Sequence, residues 1–132
     1  MSQENVEIAQ RTIDAFNRGD LQSFKALFAP DAEIVPLRAE MENTIFRGPG
    51  AAEEFFTATH ESWDSPRVEV EEVHDGGDWL LGLGSFRARG RASGAEVRVS
   101  PAWVVRFRDG AITSFHLFVD RGKALEAAGL SE

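Results

Sequence analysis

Residues 97–120 read VRVSPAWVVRFRDGAITSFHLFVD, and the reading of this stretch decides the fold. Val97, Val99, Pro101, Trp103, Val105 and Phe107 are apolar, while Glu96, Arg98, Ser100, Arg106 and Arg108 between them are polar. A period of two marks a strand with one buried face. Asp109-Gly110 suits a tight hairpin turn, whose central residues need positive φ. Apolar residues resume after it, so the stretch predicts two antiparallel strands. Pairing Arg108 with Ala111 and counting back sets Val105 opposite Ser114 and Trp103 opposite His116. His116 is therefore expected beside Trp103 on the inner face.

The same period extends back to Arg67, with turn signals at Asp75-Gly76-Gly77 and Ser93-Gly94, which predicts a four-stranded meander. If Ser93-Gly94 is also a two-residue loop, Gly84 stands opposite Trp103 and Phe86 opposite Pro101. Gly82 and Gly84 then remove side-chain volume on the inner face, leaving either close backbone packing or a pocket. Leu81 and Leu83 are expected on the convex face, where exposed leucines suggest a homodimer contact.

Ahead of the meander the period is that of helices. Val6, Ala9, Ile13 and Phe16 share one face between Glu4 and Arg18, and Gly19 stops that helix. Asp20 is placed to cap a second helix carrying Leu21, Phe24, Leu27 and Phe28, which Pro30 ends. A short strand AEIVPL follows, and its Pro36 suits an edge. A third helix starts at Gly48-Pro49 and carries Ala52, Phe55, Phe56, Thr59 and Trp63 inward before Pro66. The last helix, Gly122 to Ala128, is capped by Asp120 and ended by Gly129. Helices first and a long-stranded antiparallel sheet after them make an α+β fold, and glycines at 82, 84 and 90 permit the sheet to curve around the helices.

At 132 residues the chain has the size of one domain, and without cysteine it has no disulfide or thiolate chemistry. No apolar run approaches the roughly twenty residues of a membrane span, and the N-terminus is polar, which predicts a cytoplasmic protein. A net charge of -8 argues against broad contact with nucleic acid or anionic membranes. Arg87, Arg89, Arg91, Arg98, Arg106 and Arg108 nonetheless cluster, and are expected to form a solvated sheet face paired with acidic neighbours.

His116 is the candidate acid or base, because imidazole exchanges a proton near neutral pH; the alternative is a core histidine satisfied by a hydrogen bond. Trp103 offers a flat wall to a ligand. Arg38, with Glu40, follows the first strand; it could anchor an anionic oxygen or form a loop salt bridge. Thr12 and Ser114 are inward hydroxyls that could orient a ligand or bond their own backbone. Phe16, Phe55, Phe86 and Phe118 either line the interior or fill it. Asp120 could orient His116, but its place is that of a helix cap. His60 and His74 lack metal-ligand spacing, and Gly82 to Gly84 lacks the third glycine and following helix of a dinucleotide site, so neither metal nor cofactor is expected.

The segments AQRTIDAFNRGDLQSFKALFAPDAEI, FRGPGAAEEFF and FVDRGKALEAAGL resemble the SnoaL-like members of the nuclear transport factor 2-like superfamily, over nearly the whole chain. The resemblance implies a cone: a strongly curved antiparallel sheet with a mixed edge, wrapped around three helices of the N-terminal half, and a short C-terminal helix. It also implies a deep pocket and frequent homodimers. Within the superfamily, the ketosteroid isomerases would have their oxyanion-hole tyrosine at Thr12, their general base at Pro36 and their protonated aspartate at Trp103. None of these three can do those jobs, which argues against that mechanism. The first expectation is a pocket performing proton transfer on an apolar, cyclic or polyketide-like substrate through His116. A non-catalytic dimeric ligand-binding domain, or a scaffold using the arginine-rich face, is the competing reading.

Overall fold

The computed structural model describes residues 2–36 and 44–129. In chain order, helices α1 (Ser2–Arg18) and α2 (Leu21–Lys25) precede strands β1 (Phe28–Val35) and β2 (Phe46–Arg47). Helix α3 (Ala51–Ser62) leads into β3 (Trp63–Asp75), β4 (Trp79–Gly90), β5 (Glu96–Val99), β6 (Ala102–Arg108) and β7 (Ala111–Phe118), and α4 (Arg121–Ala127) follows. The strand order is β2-β1-β7-β6-β4-β3, with β5 also on β4. β1 and β7 run parallel and every other pair antiparallel, so the expected mixed edge is present.

Helix α1 buries Ile8, Thr12, Ala15 and Phe16 at the spacing of one face. Gly19 ends it at φ +71°, a conformation glycine takes without steric cost. Asp20 caps α2 by accepting from the Ser23 amide and hydroxyl, and these bonds hold its carboxyl below the ordinary range. Phe16, Phe24, Ala52 and Phe56 pack with Ile34, while Ile8 packs with Leu80, Trp103, Val105, Phe107 and Ile112. The first three helices thus lie on the concave face of a curled, open sheet.

Two prolines expected to stop helices lie within strands. β1 starts at Phe28 and contains Pro30; between its pairs Phe28↔Ile112 and Glu33↔Ser114 the register shifts, so Pro30 sits where no ladder bond is needed. β3 likewise begins at Trp63, and Pro66 sits in the irregularity between Asp64 and Arg67.

The count from the Asp109-Gly110 turn holds for two pairs only. Arg108 faces Ala111 and Phe107 faces Ile112, but Arg106 faces Ser114. Thr113 is the extra residue of a β-bulge, and its hydroxyl donates to the Arg106 carbonyl at 3.3 Å. Beyond it Phe115 faces Val105, His116 faces Val104, Leu117 faces Trp103 and Phe118 faces Ala102. A slip of one residue turns every side chain to the other face.

The other hairpin count misses by two, which preserves the faces. Arg89 pairs with Glu96 and the Gly90 amide donates to the Ala95 carbonyl, so the loop holds the four residues 91–94; Gly82 stands opposite Trp103, and Phe86 pairs with Val99. Gly84 is required by something else: a Cβ there would overlap the Glu69 carbonyl oxygen.

On the convex face, α4 is capped by Asp120, which accepts from the amides of Gly122 at 2.8 Å and Lys123 at 3.3 Å. Its Ala124 packs on Leu81, Ala102 and Val104, with Leu83 and Phe118 partly buried against them. Leu81 does point outward, but it is fully buried beneath the chain's own helix rather than exposed for a second copy.

Candidate functional site

A cavity of about 290 Å³ lies between the helices and the concave face. Helix α1 gives it Thr12, Ile13 and Phe16, α2 gives Phe24, and α3 gives Phe55 and Thr59. The sheet adds Trp63 and Val68, Phe86, Val97 and Val99, Trp103, Phe115 and Leu117, with Pro36, Pro101 and Val119 from the connections. Phe16 centres a ring cluster, 6.2 Å from Phe24, 6.4 Å from Phe55 and 6.1 Å from Phe56. Trp63 meets Phe86 edge-on at 6.2 Å. Val119, 66 % exposed, puts the rim at the C-terminal end of β7.

Among the described residues the wall carries no ionisable side chain. Its hydroxyls are spent locally: Thr12 donates to the Ile8 carbonyl at 2.8 Å and Thr59 to the Phe55 carbonyl at 2.9 Å. Each keeps only acceptor capacity toward a ligand. The space exceeds the roughly 150 Å³ at which an apolar cavity stays dry and takes up benzene.

Of the residues expected at the site, Thr12, Phe16, Phe55, Phe86 and Trp103 are brought together on this wall. The aromatic rings line the cone without filling it. His116, Ser114 and Phe118 are not on the wall; the bulge at Thr113 has turned them to the opposite face. Gly84 pairs with Val70 of β3 and lies outside the wall. Arg38, with Glu40, lies outside the described residues. Phe115, Leu117 and Val119 take the place expected for His116.

His116 stacks on Phe118 at 4.0 Å between ring centroids, nearly parallel, half-buried on the convex side. Desolvation lowers its pKa and the Glu33 carboxylate opposes this in part. Asp120 serves α4 as its cap. His60 joins helices instead: Nδ1 faces the Phe56 carbonyl at 2.9 Å and Nε2 the Phe16 carbonyl at 3.1 Å. No three His, Asp or Glu side chains among the described residues come together as metal ligands.

The sequence model of the SnoaL-like domain matches residues 9–115. The chain belongs to the SnoaL-like family. Among curated proteins none is similar enough in sequence to count as a relative. Solved structures share the fold of this SnoaL-like chain. A hypothetical protein with a ketosteroid isomerase-like fold from Catenulispora acidiphila, in complex with trimethylamine, is 18 % identical, with TM-score 0.77 over 94 % of this chain and 93 % of its own. An NTF2-like protein of unknown function from Burkholderia pseudomallei is 21 % identical, with TM-score 0.78 over 93 % and 95 %. A putative polyketide cyclase from Xanthomonas campestris pv. campestris is 17 % identical, with TM-score 0.77 over 92 % and 94 %. The SnoaL-like chain therefore has the NTF2-like fold. Its Thr12, Pro36 and Trp103, the positions equated with the isomerase catalytic groups, all line the one cavity wall.

Proposed function

We propose that this SnoaL-like protein binds a small, flat, uncharged apolar molecule inside the cone, and that His116 is neither acid nor base toward it. The observation that carries the reading is a wall of about 290 Å³ without an ionisable side chain among the described residues. Such a wall selects by shape and by apolar area removed from water, and it holds no group that titrates near neutral pH. Likeness to a putative polyketide cyclase supports a cyclic ligand. A proton-transferring group would have to reach a bound ligand from outside this wall.

Fluorescence titration with the neutral probe N-phenyl-1-naphthylamine tests the reading. Saturable binding is expected for the wild type and, within about twofold, for His116→Ala, because the imidazole lies on the other side of the sheet. Val99→Trp, which fills the cavity from a short edge strand, is expected to weaken binding at least tenfold, about 1.4 kcal/mol, while remaining folded. Tight binding by Val99→Trp, or its loss in His116→Ala, would refute the proposal.

A further inference from the structure

A groove of about 520 Å³ runs over β3, β4 and β5, and Arg67, Arg87 and Arg98 line it as cross-strand neighbours. Arg67 pairs with Arg87 and Arg87 with Arg98, so three guanidinium side chains leave three adjacent strands in one row. Cβ atoms of opposed residues stand about 5 Å apart, and like charges directly opposite destabilise a sheet.

The row is not a shortage of carboxylates, since the chain carries 22 Asp and Glu against 14 Lys and Arg. Arg18, Arg47, Arg89 and Arg108 pair with carboxylates, and Arg91, Arg106 and Arg121 donate to backbone carbonyls. Among the described residues, Arg67, Arg87 and Arg98 have no side-chain bond of either kind, and the lone Arg11 on α1 shares that condition. Of the two acids in the groove, Glu96 bonds Arg89 at 3.2 Å, and Asp64 accepts from the neutral Ser65 hydroxyl and forms no ion pair with the row. The groove thus sets four guanidinium groups against two carboxylates, and three of the four have no bonded partner among the described residues.

We propose that the Arg67–Arg87–Arg98 row is a binding site for a small phosphate-type anion, a phosphate or diphosphate group. Guanidinium forks bond such oxyanions bidentately, and a row of three matches an anion carrying more than one charge. A nucleic acid fits poorly, because Asp64 and Glu96 flank the row and the net charge is -8. The groove shares only Val97 with the apolar cavity, so the site stands whether or not the cavity takes a ligand.

Calorimetric titration of the protein with pyrophosphate at low ionic strength tests this. The wild type is expected to bind saturably at one site. Arg87→Gln, which removes the central charge, should weaken binding at least tenfold, and the Arg67→Gln/Arg87→Gln/Arg98→Gln variant should abolish it. Arg11→Gln should bind as the wild type does. All three arginines are exposed, and a thermal melt of the triple variant at or above the wild-type midpoint separates lost binding from lost fold. No saturable binding, or equal weakening by Arg11→Gln and Arg87→Gln, would overturn the proposal. Co-sedimentation with vesicles containing phosphatidic acid, lost in the triple variant, would identify a lipid phosphate. Pyrophosphate binding without co-sedimentation would identify a soluble one.

Discussion

Trp103 presents its face to the cavity because Gly82, across the strand, has no side chain. A Cβ at Gly82 would come within 3.1 Å of the indole Cε3, so Gly82→Ala must push the ring toward the open space. Urea denaturation should show a loss of about 1–2 kcal/mol, with weaker binding of the apolar probe. Gly84→Ala meets the Glu69 backbone instead, which cannot swing aside, and should cost about 3 kcal/mol or more. Equal losses in the two variants would contradict this assignment. His116 makes a separate prediction. Burial lowers its pKa from the usual 6.5, with Glu33 opposing, so the unfolded chain takes up the proton first as pH falls. Its contribution is complete above pH 6.5 and is lost as pH falls through 6.5 toward the folded value. Asp20 and Asp31 have pKa values lowered from 3.8, chiefly by their hydrogen bonds to Ser23 and Arg108, so their contributions are lost only below that pH. Thermal melts from about pH 8 to about pH 5 should show a decline in the wild type that His116→Phe reduces. An unchanged decline would assign it to other groups.

Among the elements, the helices and the faces of β4, β5 and β6 are legible in the sequence, because periodicity and the Asp20 and Asp120 caps act locally. Pro30 and Pro66 mislead, since a proline is tolerated in a strand wherever the ladder is already irregular. The larger miss is the bulge at Thr113, which no count from the turn reveals. A signal was nonetheless present: Phe115, Leu117 and Val119 are all apolar, whereas Ser114, His116 and Asp120 are polar, a parity opposite to that of Ile112. Two conflicting parities within one strand imply an extra residue between them. Deleting Thr113 should therefore leave Ile112, Ser114, Phe115 and His116 in plain alternation opposite their present partners Phe107, Arg106, Val105 and Val104, and the variant is expected to keep a cooperative thermal transition and its near-ultraviolet circular dichroism. Loss of the cooperative melt after the deletion would contradict the assignment of Thr113 as the extra residue.

For the whole molecule, the sheet separates two environments. The concave side holds an apolar cavity, and the convex side holds α4, His116 and the arginine row. The fold is shared with solved proteins less than 25 % identical, so the fold alone leaves the chemistry open and the wall has to supply it. The three tryptophans of the chain divide between the two sides: Trp63 and Trp103 line the cavity, while Trp79 packs with the convex cluster under α4. Indole N–H resonances followed by nitrogen-15 NMR during titration with N-phenyl-1-naphthylamine therefore test the cavity directly. Saturable shifts of Trp63 and Trp103, with Trp79 unmoved, are the expected result; absence of shifts at Trp63 and Trp103, or equal shifts of all three, would contradict a ligand site inside the cone.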